Sequence, residues 1–188
     1  NHVQLPMKFN FKTAKGELKE RDTIIIIAED ETGHQGYGEC VSFTTPFYTQ
    51  ETLDSSWECL SQTYIPKVIT ANFTHPFEIH EFFEQPLPMA MAGLENALLD
   101  LYYKVQGKNT IAALFPEPLT ETLSRGAVLG DVPFEQLPAK IEALIAQGVE
   151  RIKLKIKPTD GFKRVQYAVE HYPKLQWAVD ANRSYARE

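Results

Sequence analysis

Lys153 and Lys155 lie two residues apart in Arg151-Ile152-Lys153-Leu154-Lys155-Ile156, and Asp180 follows in Val179-Asp180-Ala181-Asn182. Side chains alternate along a strand, so Ile152, Leu154 and Ile156 point to one face while Arg151, Lys153, Lys155 and Lys157 point to the other. A lysine in an enclosed site loses hydration, its pKa can fall toward neutrality, and it becomes a general base. A second ammonium or a divalent cation beside it adds to that effect. A carboxylate ending the neighbouring strand can hold such a cation, so the residue types point to proton transfer next to a metal ligand. Two plainer readings stand beside this one. The lysines could line a solvated edge strand and block aggregation, and Asp180 could be a turn or N-cap aspartate.

The elements that must position these residues are legible around them. Residues 134–147 carry Leu137, Ile141, Leu144 and Ile145 at helical spacing, with Gly148 as the stop. Phe162, Val165, Ala168 and Val169 repeat the pattern, Pro173 ends it, and residues 175–179 read as a strand. Helix, strand, helix, strand in that order predicts βαβ units and a parallel sheet covered on both faces, hence an enclosed lysine face. Asp180 then falls at the carboxyl end of its strand, where catalytic groups collect in barrel and doubly wound folds.

Upstream, residues 23–29 are rich in isoleucine and form a predicted hairpin with 35–40 through Asp30-Glu31-Thr32-Gly33. Gly33, Gly36 and Gly38 lack the dinucleotide-binding order and read as turn and strand glycines. Residues 49–60, 76–84 and 89–106 read as helices, with Gly107 as a stop. Residues 13–22 read as a long polar loop. Glu95 and Asp100 read as solvated or capping carboxylates. His75 and His80 lack zinc-site spacing and read as surface or packing residues. Pro116, Pro118 and Thr120-Glu121-Thr122 mark a boundary between an N-terminal α+β domain, 1–120, and a second domain, 121–188.

With 188 residues the chain can bury one good core or two small ones, and its net charge of −6 argues against a nucleic-acid partner. The longest strongly apolar run, 24–28, is far short of a membrane span and no signal peptide is visible, so no membrane partner and a cytoplasmic location are expected. Cys40 and Cys59 read as separate thiols.

With Arg-Ile-Lys-Leu-Lys-Ile and Val-Asp-Ala-Asn-Arg-Ser-Tyr both in place, the chain resembles the enolase superfamily. Within its muconate lactonizing subgroup it is similar to the o-succinylbenzoate synthases and the related N-succinylamino acid racemases. Gly36-Tyr37-Gly38-Glu39-Cys40, Tyr48-Thr49-Gln50-Glu51-Thr52 and Ala92-Gly93-Leu94-Glu95-Asn96-Ala97-Leu98-Leu99-Asp100 carry the same resemblance. It implies an α+β capping domain followed by the start of a modified (β/α)8 TIM-type barrel, truncated after about the third barrel strand. Those strands are counted as 123–130, 151–156 and 175–179.

The resemblance further implies an enzyme, a lyase. It would use Mg2+ to dehydrate 2-succinyl-6-hydroxy-2,4-cyclohexadiene-1-carboxylate to o-succinylbenzoate on the route to menaquinone. The reaction begins with removal of a proton alpha to a carboxylate. By resemblance Lys155 is the acid/base lysine, Lys153 the neighbour that tunes it, Asp180 the first of three magnesium ligands, and Asn182 a polar group near a small-molecule carboxylate substrate. Residues 13–22 become a mobile loop closing over it. In the family the other metal carboxylates and an opposite-face lysine come from later strands, so the 188-residue chain is expected to be incomplete for activity. The lack of an initiating methionine points to an edited end. Racemisation of N-acylated amino acids, and a non-catalytic module, remain as alternatives, and a homo-oligomer is left open.

Overall fold

The computed structural model describes residues 1–13, 16–46, 49–115, 122–182 and 184–185, with side chains left out for 9–13 and 16–18. The chain divides into two compact units, Asn1–Phe9 with Lys19–Leu119 and Asn10–Leu18 with Thr120–Glu188.

The first sheet runs in the order β1 (His2–Thr13), β2 (Gly16–Glu29), β3 (Gln35–Cys40). Asn1 and Ile25 exchange backbone hydrogen bonds of 2.8 Å in both directions. β2 and β3 are antiparallel, with Ile24 opposite Cys40 and Glu29 opposite Gln35. The predicted loop at 13–22 is corrected here, because β2 already begins at Gly16 and the segment to Asp22 is strand. Polar composition had suggested a loop, but a hairpin partner supplies backbone hydrogen bonds whatever the side chains are. Residues 14 and 15, and Phe47 and Tyr48, lie outside the described residues.

The β2–β3 turn is organised by Asp30. Its carboxylate accepts from the Thr32 hydroxyl (2.8 Å), the Thr32 and His34 backbone N–H groups (2.9 Å each) and the His34 ring (3.1 Å), while Gly33 takes φ +87°. Burial pushes this carboxyl up, but the Thr32 and His34 hydrogen bonds outweigh it and hold the pKa at about 2. A folded pKa below the ordinary 3.8 means the contribution is fully present above that value and is lost as pH falls toward about 2. Asp30→Ala should therefore lower the urea midpoint at pH 6, and the gap from the parent should narrow steadily between pH 4 and pH 2. A gap independent of pH would contradict this assignment.

Thr52 and Ser55 form a capping box that opens α1 (Leu53–Cys59). The expected stop near residue 60 is absent. A more widely wound stretch, Leu60–Tyr64, leads directly into α2 (Ile65–Thr70), where Pro66 occupies the first turn and has no N–H to leave unpaired. Pro76–Phe82 forms tight helical turns capped by His75, whose ring accepts from the Phe77 N–H. α3 (Pro88–Val105) takes its N-terminal cap from a distant residue. The buried Glu51 carboxylate accepts from the backbone N–H groups of Met89 (2.9 Å) and Ala90 (2.8 Å) and from the Ser56 hydroxyl (2.9 Å). Glu95 and Asp100 are tied down rather than free in solvent. Glu95 pairs with the His80 ring at 2.9 Å, and Asp100 accepts from the Tyr37 N–H and from Lys104. A short α4 (Thr110–Leu114), capped by Asn109, was not expected. Gly36 and Gly38 of β3 lie directly against the α3 backbone.

The second sheet is parallel, in the order β4 (Gly126–Leu129), β5 (Arg151–Lys155), β6 (Gln176–Asp180). Gly126 is opposite Arg151, Arg151 is opposite Gln176, and Lys155 is opposite Asp180. The expected strand at 123–130 is trimmed to the residues that find partners on β5. α5 (Leu137–Ile145) and α6 (Gly161–His171) make the crossovers, and Gly148 takes φ +77° between α5 and β5. Ile152 and Leu154 are buried with Leu129, Leu137, Ile141 and Ala168. That burial turns the alternate residues, Lys153 and Lys155, to the opposite face. No helix among the described residues is long and apolar enough to cross a membrane.

Candidate active site

β5 and β6 end side by side, and their register places Lys155 next to Asp180. Lys155 Nζ donates to Asp180 Oδ2 and to Asn182 Oδ1, both at 2.7 Å. Lys153 Nζ stands 3.6 Å from the same Oδ2. Asp180 Oδ1 accepts the Asn182 backbone N–H at 3.0 Å, closing a short turn. Asn182 has φ +47°, a left-handed conformation that asparagine tolerates better than most residues, and this turn carries its amide oxygen to Lys155. The Lys155 hydrogen bond, followed by the Asn182 N–H, holds the Asp180 carboxyl below its ordinary range.

All four residues singled out from the sequence, Lys153, Lys155, Asp180 and Asn182, are thus gathered at the carboxyl end of one parallel sheet. The enclosure is less complete than expected. The Lys155 side chain is 15% exposed and Asp180 26%, but Lys153 is 45% exposed. The helices α5 and α6 pack on the face that carries Ile152 and Leu154, through Leu137, Ile141 and Ala168. Lys157, expected on the same face, lies beyond the strand end and pairs with Asp131.

A protein named o-succinylbenzoate synthase from Enterococcus faecalis is 36% identical over 97% of the chain and 50% of its own length. A solved structure from Listeria innocua, described as a member of the enolase superfamily, superposes on 98% of the chain with a TM-score of 0.91 and 34% identity. The chain is a homologue of enolase-superfamily proteins. It spans about half the length of the curated relatives it matches. An N-succinylamino acid racemase from Thermus thermophilus is 30% identical over 98% of the chain and 50% of its own length. No protein-family model matches. An antiparallel capping sheet followed by the first parallel strands of a barrel is the architecture this enolase-superfamily homologue shares with its structural neighbours.

Asp180 offers hard carboxylate oxygens of the kind magnesium takes. Among the described residues no group of three or more His, Cys, Asp or Glu side chains gathers to hold a metal.

Asp131, Asp160 and Arg164 cluster with Lys157 near the same end of the sheet, and these three were not singled out from the sequence. The one local signal was the i,i+4 spacing of Asp160 and Arg164.

Proposed function

We propose that the protein to which this chain belongs is a lyase that dehydrates 2-succinyl-6-hydroxy-2,4-cyclohexadiene-1-carboxylate to o-succinylbenzoate on the route to menaquinone. The observation that carries this is the Lys155 ammonium held between Asp180 and Asn182 at the carboxyl end of parallel strands. It occurs in a chain whose relatives at 33–36% identity carry the o-succinylbenzoate synthase name. A proton alpha to a carboxylate is very weakly acidic, so the step needs both a positioned base and strong stabilisation of the developing charge. Lys155, once its ammonium has released a proton, accepts the substrate proton as the neutral amine; Lys153 adds positive charge beside it, which favours that neutral form, and Asn182 orients Lys155 and offers an amide to the substrate. Asp180 would be one ligand of a divalent cation, its hard carboxylate oxygens suiting magnesium, and that cation would supply stabilisation of charge on the substrate carboxylate.

A second reading keeps the base and changes the outcome, giving racemisation of N-succinylamino acids. It is favoured by the relative of that name at 30% identity. Steady-state assays of the full-length protein on both substrates, with and without a metal chelator, separate the two. Dehydration well above racemisation, abolished by the chelator and restored by Mg2+, is expected. Racemisation alone would support the second reading, and turnover of neither substrate would overturn both.

A further inference from the structure

We propose that Arg164 is a positioning residue for Lys155; this rests on the reading of Lys155 as the acid/base group. The Arg164 side chain is only 4% exposed. Its Nε donates to Asp160 Oδ2 at 2.6 Å, and its second guanidinium nitrogen donates to the Val132 carbonyl at 2.7 Å and lies 3.9 Å from Asp131 Oδ1. Asp131 also pairs with Lys157, whose carbonyl accepts from the Tyr185 hydroxyl at 2.9 Å and from the Gly161 N–H at 2.8 Å. One polar network therefore joins the segments that leave β4, β5 and β6, at the end of the sheet where Lys155 and Asp180 meet.

Two features indicate that this network is kept for geometry rather than stability. Asp160 sits at the N-cap position of α6 but makes no capping hydrogen bond there, and its carboxylate goes to Arg164 instead. Asp160 Oδ1 and the third guanidinium nitrogen are buried and have no hydrogen-bond partner among the described residues. A buried arginine paired with a half-buried aspartate, each with an unsatisfied atom, is a poor way to fill space compared with an apolar side chain of similar length. What arginine adds is a rigid planar fork that can hold two loops at once. Lys155 is the last residue of β5, and the fork anchors Asp160, at the end of the segment that follows it. Loosening that segment lets Nζ drift from Asp180 and Asn182, and small displacements of a reacting group are costly.

The test uses Arg164→Lys, Arg164→Met and Asp160→Asn in the full-length protein. Urea midpoints establish which variants fold, kcat and KM are measured for the proposed substrate, and the Lys155 ε-methylene carbon is followed by NMR, assigned through Lys155→Arg. In folded variants kcat should fall by about 10- to 100-fold while KM stays within about threefold, with lysine at 164 no better than methionine. The Lys155 signal should shift in step. Unchanged kcat, a rise in KM alone, or an unmoved Lys155 signal would overturn the proposal. If the parent turns nothing over, the reading of Lys155 as a base fails, and the NMR signal still decides whether Arg164 positions it. Asp160→Asn, nearly isosteric, serves if the Arg164 variants do not fold.

Discussion

Replacing Gly38 with alanine is expected to destabilise the first unit by at least about 3 kcal/mol, at or beyond the upper end of ordinary overpacking. A Cβ at that position would lie 1.9 Å from the Gly93 carbonyl oxygen and 2.7 Å from the Ala97 nitrogen. Both atoms belong to the backbone of α3, so no side-chain rotation relieves the clash and the helix must lift off the sheet. A Cβ at Gly36 would likewise lie 2.2 Å from the Ala97 oxygen, and from the helix side a Cβ at Gly93 would lie 2.9 Å from the Cys40 nitrogen. Lifting α3 also opens the core formed by Ile24, Ile26, Leu94 and Ala97. A loss of that size is a large part of the roughly 5–15 kcal/mol that holds a domain folded. Gly130→Ala is the control, because nothing lies within 4 Å of a Cβ there and its φ is not positive. Equal urea midpoints for the two variants would refute the close-packing account of α3 on β3.

Lys155→Met should lower turnover of the full-length protein by about 100- to 10,000-fold, the range for loss of a positioned general base, without unfolding it. Methionine keeps much of the stem length and removes the ammonium. The Asp180 carboxylate would keep Lys153 at 3.6 Å and some contact with water. Because the Lys155 hydrogen bond is the largest cause of the low Asp180 pKa, that pKa should rise back toward its ordinary value in the variant. The sign follows from linkage: a depressed carboxyl pKa contributes stability above the ordinary value and loses it as pH falls through the folded one. Lys155→Met should therefore flatten the acid limb of the stability profile. Carboxylate-carbon NMR titration of Asp180 in parent and variant measures the shift directly.

The paired lysines were legible because a strand's period of two writes its faces into the sequence, and burial of Ile152 and Leu154 fixes where Lys153 and Lys155 point. Asp180 was legible because it ends an apolar run. Where the sequence misled, the cause was context. Residues 16–22 are polar yet paired as strand, and Pro66 hid the continuation of helix past residue 60. α4 is too short to show a period. The Glu51 cap on α3 spans 38 residues to Met89, and the Arg164 network joins side chains and carbonyls from three separate loops. Only folding brings such groups together, and local pattern carries no trace of it.

The most direct test of Lys155 as the base is exchange of the substrate proton alpha to the carboxylate for solvent deuterium, followed by NMR in the full-length protein. Exchange should fall to the uncatalysed background in Lys155→Met and persist, slowed, in Lys153→Met. Exchange at the parental rate without the Lys155 ammonium would show that another group takes the proton.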